Sequence, residues 1–300
     1  MTTSRRLGGA SALWGPALLI LGLATSPDAS AFAVTFLNPA YTATNFATIG
    51  VNTRSLAFDS GLNLYVEGVS DDGSGSINIL KLTAGSGYTS SSVFASYSTT
   101  ARGVSGLDFD PSGTLYASEF NDDGDSGLIR KVTGALVVAT LSEFRPTSLQ
   151  ASGGDVFYLG GRLNSNLDFG AIYRLPGTTT PEVVIPGIVP TGVAQDSSGD
   201  IYVSTRGSDF GGFAGRSIYR FDVENAFATP VLVAQFDQAG VDELVFDNFG
   251  SLYALSVNAN SQATTPTSII RLSRVPEPAT LALLLAGLAG IACSRRRVRP

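Results

Sequence analysis

The strongest constraint on the fold of this 300-residue chain is a unit that recurs five times. Each copy has an apolar segment, a tight turn and a second segment that ends near a tyrosine: Tyr65, Tyr116, Tyr158, Tyr202 or Tyr253. The spacings between these tyrosines are 51, 42, 44 and 51 residues. Self-similarity at this period indicates a repeat architecture, in which each unit buries its apolar face against its neighbours.

The second half of the unit adds two more predicted strands. The first has the pattern Ile-x-basic-apolar, and its basic residues are Lys81, Lys131, Arg174, Arg220 and Arg271. A further apolar strand follows in four of the five units, at residues 92–96, 136–141, 182–185 and 231–236. Because apolar and polar residues alternate in these segments, each unit is predicted to form four short strands.

Four-stranded units at this period predict an all-β fold, a β-propeller with one blade per unit. The fifth unit lacks a fourth strand after Arg274, whereas residues 41–48 belong to no unit. Pairing these two parts would close the ring and remove a free sheet edge. We therefore predict five blades within residues 34–274, with a sixth, degenerate blade as the alternative. Over residues 50–273 the repeat resembles NHL-type and gluconolactonase-like propellers.

The tight turns and the aligned residues have structural interpretations. Asp110, Asp196 and Asp247 each stand first in a turn whose fourth residue is glycine, as type I turns prefer, and Asp59 is aligned with them. Their carboxylates are expected to accept hydrogen bonds from the turn backbone, not to catalyse. The repeated tyrosines are expected to pack between blades. The repeated basic residues are predicted to form cross-strand pairs, with a cation ring for an anionic polymer as the alternative.

Composition excludes several classes of site. Histidine is absent and Cys293 is the single cysteine, so Ser-His-Asp triads, Cys–His pairs, histidine-ligated zinc and disulfides within the chain are ruled out. Residues 34–274 contain 13 basic and 23 acidic residues, a net charge of −10. Nucleic-acid binding is not expected, because contacts with phosphate dominate that interaction.

The N-terminal residues 1–33 have the three parts of a secretory signal peptide. Arg5 and Arg6 supply the positive charge, and residues 10–24 form an apolar segment. Ala-x-Ala patterns suited to cleavage follow at residues 29–31 and 31–33. The sequence therefore predicts an exported protein.

The C-terminal residues 275–300 also have three parts in a fixed order. A Val-Pro-Glu-Pro motif at 275–278 precedes an uncharged segment at 279–293, which is predicted to be a transmembrane helix, and a basic tail at 294–300. This arrangement resembles the PEP-CTERM sorting signal of Gram-negative bacteria. The residues that carry the resemblance are Pro276, Glu277, Pro278, Arg295, Arg296 and Arg297.

The resemblance implies recognition by an exosortase after export through the secretion machinery. The chain would lie in the inner membrane during sorting, held by its C-terminal helix. Cleavage near the motif would then release it to the cell surface or the exopolysaccharide matrix. A plain single-pass membrane anchor is the alternative interpretation of the same segment.

Long loops between the second and third strands of the units predict a binding face. We assign Glu119, Asp122, Phe210 and Phe213 to that face. The densest acidic loop places oxygen ligands at the alternate positions 121, 123 and 125, a spacing suited to calcium. The proposed ligands are Asn121, Asp123 and Asp125. Ser126 and Val132 depart from the EF-hand pattern, and a solvated acidic loop is the alternative.

These features together predict a non-enzymatic surface or matrix protein whose propeller acts as a binding or scaffold module. Exopolysaccharide or surface proteins are the expected partners, and no cofactor is required unless calcium binds. The alternative is a calcium-dependent hydrolase or lactonase of the gluconolactonase-like kind. That enzyme would need carboxylate and amide ligands in the central channel, for which Glu67 and Glu119 are the repeated candidates.

Overall fold

The structure is a computed structural model of the chain. It describes residues 34–36, 41–49, 53–68, 75–121, 126–142, 144–153, 156–163, 170–177, 180–205, 214–237, 239–258 and 267–274. The predicted signal peptide and sorting tail lie outside these ranges. Within them, no helix has the length and apolar character needed to cross a membrane.

The described residues form five antiparallel sheets, the blades of a propeller. Two N-terminal strands come first, β1 (Val34–Phe36) and β2 (Tyr41–Ile49). Blade 1 contains β3 (Leu56–Phe58), β4 (Leu64–Gly68), β5 (Ser76–Leu82) and β6 (Ser91–Ser98). Blade 2 contains β7 (Gly103–Phe109), β8 (Leu115–Phe120), β9 (Gly127–Lys131) and β10 (Leu136–Leu141).

The remaining blades follow the same order. Blade 3 contains β11 (Phe144–Gly153), β12 (Val156–Leu163), β13 (Gly170–Pro176) and β14 (Glu182–Pro186). Blade 4 contains β15 (Pro190–Gln195), β16 (Ile201–Thr205), β17 (Ser217–Phe221) and β18 (Pro230–Phe236). Blade 5 combines β19 (Ala239–Phe246), β20 (Leu252–Asn258) and β21 (Thr267–Arg274) with β2.

The N-terminal strand β2 closes the ring as predicted. It pairs antiparallel with β21, from Tyr41 opposite Arg274 to Ile49 opposite Thr267. The count of five blades is therefore confirmed for the described residues, which contain no sixth sheet. The strand β1, which the sequence did not predict, pairs with the outer strand β18 and gives blade 4 a fifth strand.

The hydrophobic core is divided among the five junctions between neighbouring blades, one apolar cluster at each. The repeated tyrosines lie in these junctions, as expected. Tyr65, Tyr202 and Tyr253 each contact a phenylalanine of the next blade, with ring centroids 4.6–5.1 Å apart. Tyr116 contacts Phe157 in the same manner, and Tyr158 packs against the cluster between blades 3 and 4. Such edge-on and tilted aromatic pairs add to the stability that comes from burial alone.

Each repeated basic residue lies directly opposite a repeated tyrosine. The pairs are Tyr65 with Lys81, Tyr116 with Lys131, Tyr158 with Arg174, Tyr202 with Arg220, and Tyr253 with Arg271. The charges have nearby partners: Lys81 Nζ is 3.6 Å from Asp59 Oδ2, and Arg220 Nε is 2.7 Å from Asp222 Oδ1. Arg174 forms the predicted cross-strand pair with a carboxylate, since Glu182 lies directly opposite it on β14, whereas the partners of Lys81 and Arg220 lie just after β3 and β17.

The turn aspartates have the predicted structural role. In blade 2, Asp110 Oδ1 accepts the backbone N–H groups of Ser112 and Thr114 at 2.9 and 2.8 Å. Gly113 N donates to Asp110 O, and its φ of 84° is one that glycine adopts without strain. Asp196 and Asp247 make the equivalent bonds, which fixes the first turns of three blades in one conformation.

Ring closure can be tested at Phe46 of β2, whose ring centroid lies 5.9 Å from that of Phe58, 5.0 Å from Tyr88 and 4.8 Å from Tyr253. Phe46→Ala is expected to lower the free energy of unfolding by about 2–3 kcal/mol, somewhat less than for a fully buried phenylalanine. Phe249→Ala is the control, because this side chain is 77% exposed. Urea denaturation of the full chain measures both, and equal effects would contradict a closing role for β2.

Candidate functional site

The first strands of the five blades neighbour one another around the central axis. Among the described strands each has only one sheet neighbour, so its inner edge carries backbone N–H groups without a strand partner. Polar side chains of the preceding blade accept several of these groups. The bonds are Val104 N to Glu67 Oε1 at 2.9 Å, Ala151 N to Asp108 Oδ2 at 2.8 Å, Val193 N to Ser148 Oγ at 2.8 Å, and Gln195 N to Gln150 Oε1 at 2.9 Å.

A hydrogen bond between two described side chains crosses the channel. Ser148 Oγ of blade 3 donates to Glu243 Oε1 of blade 5 at 2.7 Å, and these blades are not neighbours in the ring. The inner strands come close together there: a Cβ atom on Gly192 would lie 2.8 Å from Leu244 N, and one on Gly106 would overlap the Leu149 backbone. The inner strands therefore fill the channel at this level, and glycine is required at both positions.

Open space is found instead at the end of the propeller formed by the turns between first and second strands. A cavity of about 1080 Å³ opens there, which we call the turn-face funnel. Its floor contains Asp108, Gln150, Ser152 and Gln195, and its wall contains Phe58, Phe109 and Phe246. Phe94, Phe249 and the turn aspartates Asp59, Asp110, Asp196 and Asp247 also line it.

The floor is a connected polar array. Gln150 Nε2 donates to Asp108 Oδ2 at 2.6 Å, and Gln150 Oε1 accepts the backbone N–H of Gln195. Ser152 Oγ donates to Gln195 Oε1 at 2.9 Å, while Gln195 Nε2 donates to Gly199 O at 3.2 Å. These bonds fix the orientation of both amides before any ligand arrives.

Two carboxyl groups near the axis have raised pKa values. Burial raises the pKa of Asp108 to about 7, although hydrogen bonds from the Ala151 and Phe109 backbone and from Gln150 favour the charged form. Burial also raises the pKa of Glu243 well above its ordinary value, and the neighbouring charges of Asp108 and Asp242 add to this effect. Among the described residues, Glu243 Oε2 finds no hydrogen-bond partner. Burial therefore favours the protonated form of this carboxyl group.

Glu119, which we predicted on the binding face, is enclosed within the protein. Its side chain is fully buried, and Oε1 lies 2.6 Å from Arg130 Nε while Oε2 accepts Thr99 Oγ1 at 2.7 Å. Arg130 in turn donates to Ala135 O at 2.8 Å. These contacts give Glu119 a structural role in blade 2. Glu67 is buried as well and accepts the Val104 N–H, so neither repeated glutamate lines the turn-face funnel.

The predicted calcium loop is described only at its ends. Asn121 Nδ2 donates to Ser126 Oγ at 2.7 Å, and Asn121 N donates to Ser126 O at 3.0 Å, so these residues hold the base of the loop together. In the parts of the chain with described coordinates, no three acidic or cysteine side chains are grouped to hold a metal ion. Several predicted residues fall outside those parts: Asp122, Asp123, Asp125, Phe210, Phe213, Pro276, Glu277, Pro278, Arg295, Arg296 and Arg297. Their assigned roles stay predictions.

Sequence reasoning missed Asp108, Glu243 and Phe249. For Asp108, a comparison of equivalent positions in the five units of the repeat could have identified the residue. Asp108 is aligned with Ala57, Gln150, Ala194 and Val245, since each of these residues faces a repeated tyrosine on the second strand. A carboxylate and an amide at a strand position that is small and apolar in the other three blades depart from what packing requires.

Comparison with known proteins identifies the C-terminal segment. Residues 274–297 match the family model of the PEP-CTERM protein-sorting motif. The chain therefore carries this motif, as the order of its three parts predicted. Proteins with the motif are exported and sorted to the cell surface, and the motif implies processing by an exosortase. A search of curated proteins gives no match to the chain.

Among solved structures, the chain is similar to the calcium-binding protein regucalcin from Agrobacterium tumefaciens, at 14% identity and a TM-score of 0.43, covering 78% of this chain and 77% of that one. It is also similar to a gluconolactonase from Xanthomonas campestris, at 13% identity and a TM-score of 0.46, covering 78% and 90%. A chain of the nidogen/laminin complex has 13% identity and a TM-score of 0.47, covering 75% and 86%.

The raised pKa of Asp108 predicts a pH-dependent stability. Between pH 3.8, its ordinary pKa, and about 7, the folded state holds a proton that the unfolded chain has released. Stability from this group is therefore greatest at low pH and is lost as the pH rises through this window, at about 1.36 kcal/mol per unit of pKa difference. Urea denaturation measures the free energy of unfolding at pH 4 and at pH 8. Over this range it should fall by a few kcal/mol more in the wild type than in Asp108→Asn. If the free energies of unfolding of the two proteins change equally with pH, the raised pKa of Asp108 is contradicted.

The buried Glu119–Arg130 pair gives a second prediction. Glu119→Gln leaves the Arg130 charge buried without its counter-ion, at an expected cost of about 3 kcal/mol. Glu182→Gln is the matched control, because Glu182 pairs with Arg174 at 3.8 Å with both side chains largely exposed, and its loss is expected to cost less than about 1 kcal/mol. Chemical denaturation at neutral pH compares the two. Equal losses of unfolding free energy in the two variants would show that burial does not strengthen the contribution of the Glu119–Arg130 pair.

Proposed function

We propose that the protein is an exported, non-enzymatic propeller that acts as a binding or scaffold module at the surface or in the extracellular matrix of a Gram-negative bacterium. The observation that carries the proposal is the PEP-CTERM match over residues 274–297, together with the predicted signal peptide. Exosortase is the proposed processing partner, and exopolysaccharide or other surface proteins are the proposed extracellular partners.

The roles of the polar residues support a binding module over an enzyme. The turn aspartates stabilise turns, Glu67 and Ser148 accept N–H groups of the inner strands, and Glu119 neutralises Arg130. General acid–base chemistry requires a titratable group within reach of a substrate atom. Asp108 is the group that best meets this condition among the described residues, and two of its hydrogen bonds already hold blade 3 in place.

A calcium-dependent hydrolase is the second candidate, favoured by one observation. Asp108 and Glu243 are neighbouring buried carboxyls with raised pKa values, and such groups cluster at catalytic sites. Millimolar calcium should raise the midpoint of thermal unfolding if the ion binds the folded state. Lactone hydrolysis that depends on calcium and is lost in Asp108→Asn would favour this candidate, and its absence in both proteins favours the binding module.

The sorting proposal predicts a specific processing pattern in the native host. Intact mass should show that both ends have been removed, with the protein recovered outside the inner membrane. Glu277→Ala should keep residues 295–300 and remain in the membrane fraction, because the motif is no longer recognised. Glu224→Ala, a change at an exposed glutamate in a short 3₁₀ turn, is the control and should be processed normally. A wild-type chain that keeps its basic tail in the membrane would contradict the proposal.

A further inference from the structure

Phe249 is the most exposed large hydrophobic side chain of the described residues, at 77%. It is the third residue of the turn that joins β19 to β20. The corresponding positions in blades 1, 2 and 4 hold Gly61, Ser112 and Ser198, and those turns form the same backbone hydrogen bond from the fourth residue to the first. The turn therefore does not require a phenylalanine, and folding does not explain why this ring stands in water.

A second exposed ring lines the same funnel. Phe94 is 41% exposed, and its ring packs edge-on against Tyr65 at 4.9 Å. Tyr65 in turn contacts Phe109 at 4.9 Å, on the funnel wall. Phe249 on blade 5 and Phe94 on blade 1 thus present aromatic surface on two neighbouring blades. Aromatic rings provide large, rigid apolar contact area at low cost in side-chain entropy.

The charges that line the funnel all have the same sign. Asp59, Asp110, Asp196 and Asp247 line it, whereas no lysine or arginine does so among the described residues. Three of the repeated cations pair with carboxylates: Lys81 with Asp59, Arg174 with Glu182 and Arg220 with Asp222. A cavity lined by one sign of charge repels ligands of that sign and attracts those of the opposite sign.

We propose that the turn-face funnel binds a saccharide chain that carries no negative charge, either neutral or amine-bearing. Its rings stack on Phe249 and Phe94, and its hydroxyl groups bond to the carboxylate and amide floor of Asp108, Gln150 and Gln195. The cavity of about 1080 Å³ is slightly larger than the about 300–1,000 Å³ typical of ligand pockets, so it accommodates several sugar rings. This inference deepens the proposed surface-binding function and rests on it for the cellular setting.

Calorimetric titration of the processed chain from its native host tests the chemistry. The probes are cellohexaose, a glucosamine hexamer and a guluronate hexamer, which are respectively neutral, cationic and anionic. The first two should bind and the third should not. Phe249→Ala and Phe94→Ala should each weaken binding by about tenfold, the loss expected for one aromatic contact. Leu136→Ala is the control, since Leu136 is 60% exposed on β10 and does not line the funnel.

A charge-reversal variant tests the selectivity separately. Ser60, Ser197 and Asn248 are exposed turn residues that line the funnel. The triple variant S60K/S197K/N248K should lose affinity for the glucosamine hexamer and gain it for the guluronate hexamer, with both effects reduced by salt. Wild-type preference for guluronate, no binding of any probe, or unchanged affinity in the phenylalanine variants would each overturn the inference. Binding with abnormal tail processing would instead overturn the sorting proposal alone.

Discussion

Each first strand in this ring has an inner edge without a strand partner, and the architecture depends on how the N–H groups of those edges are satisfied. A buried N–H without a partner costs as much as a lost hydrogen bond. Side chains of Glu67, Asp108, Ser148 and Gln150 accept such groups from the next blade. Blades 1 to 4 are therefore joined to one another by hydrogen bonds at the axis as well as by the apolar clusters further out, and this fixes their relative positions.

The same constraint explains where open space remains. The cross-channel bond between Ser148 and Glu243 and the close approach at Gly192 fill the middle of the channel. The turn-face funnel lies at the end where the first strands reach their turns, and Asp108 belongs to both regions. Its bonds to Ala151 and Gln150 join blades 2 and 3, yet its burial raises the pKa of its carboxyl group. The polar floor of the funnel is thus formed by the same side chains that join blades 2, 3 and 4.

Much of the fold could be predicted because the repeat fixes the register. The tyrosine spacing and the turn pattern gave five blades, and the missing fourth strand of the last unit identified residues 41–48 as the closing strand. The site was harder to predict, since contacts at the axis depend on the geometry of the closed ring. Glu119 was placed on a loop face because it ends a second strand. Its partner Arg130 lies diagonally across β8 and β9, a contact that only the register Ala117 to Arg130 reveals.

Selectivity in the funnel follows from residues that the fold needs for other reasons. An aspartate opens four of the first turns because its carboxylate accepts backbone N–H groups, and this requirement alone surrounds the funnel with negative charge. The repeated cations are held by those carboxylates, by others nearby and by tyrosine rings, so they do not offset that charge within the funnel. A residue that departs from the repeat without a structural reason therefore indicates where a ligand binds. Phe249 is that residue, because its turn would form equally well with the serine found in blades 2 and 4.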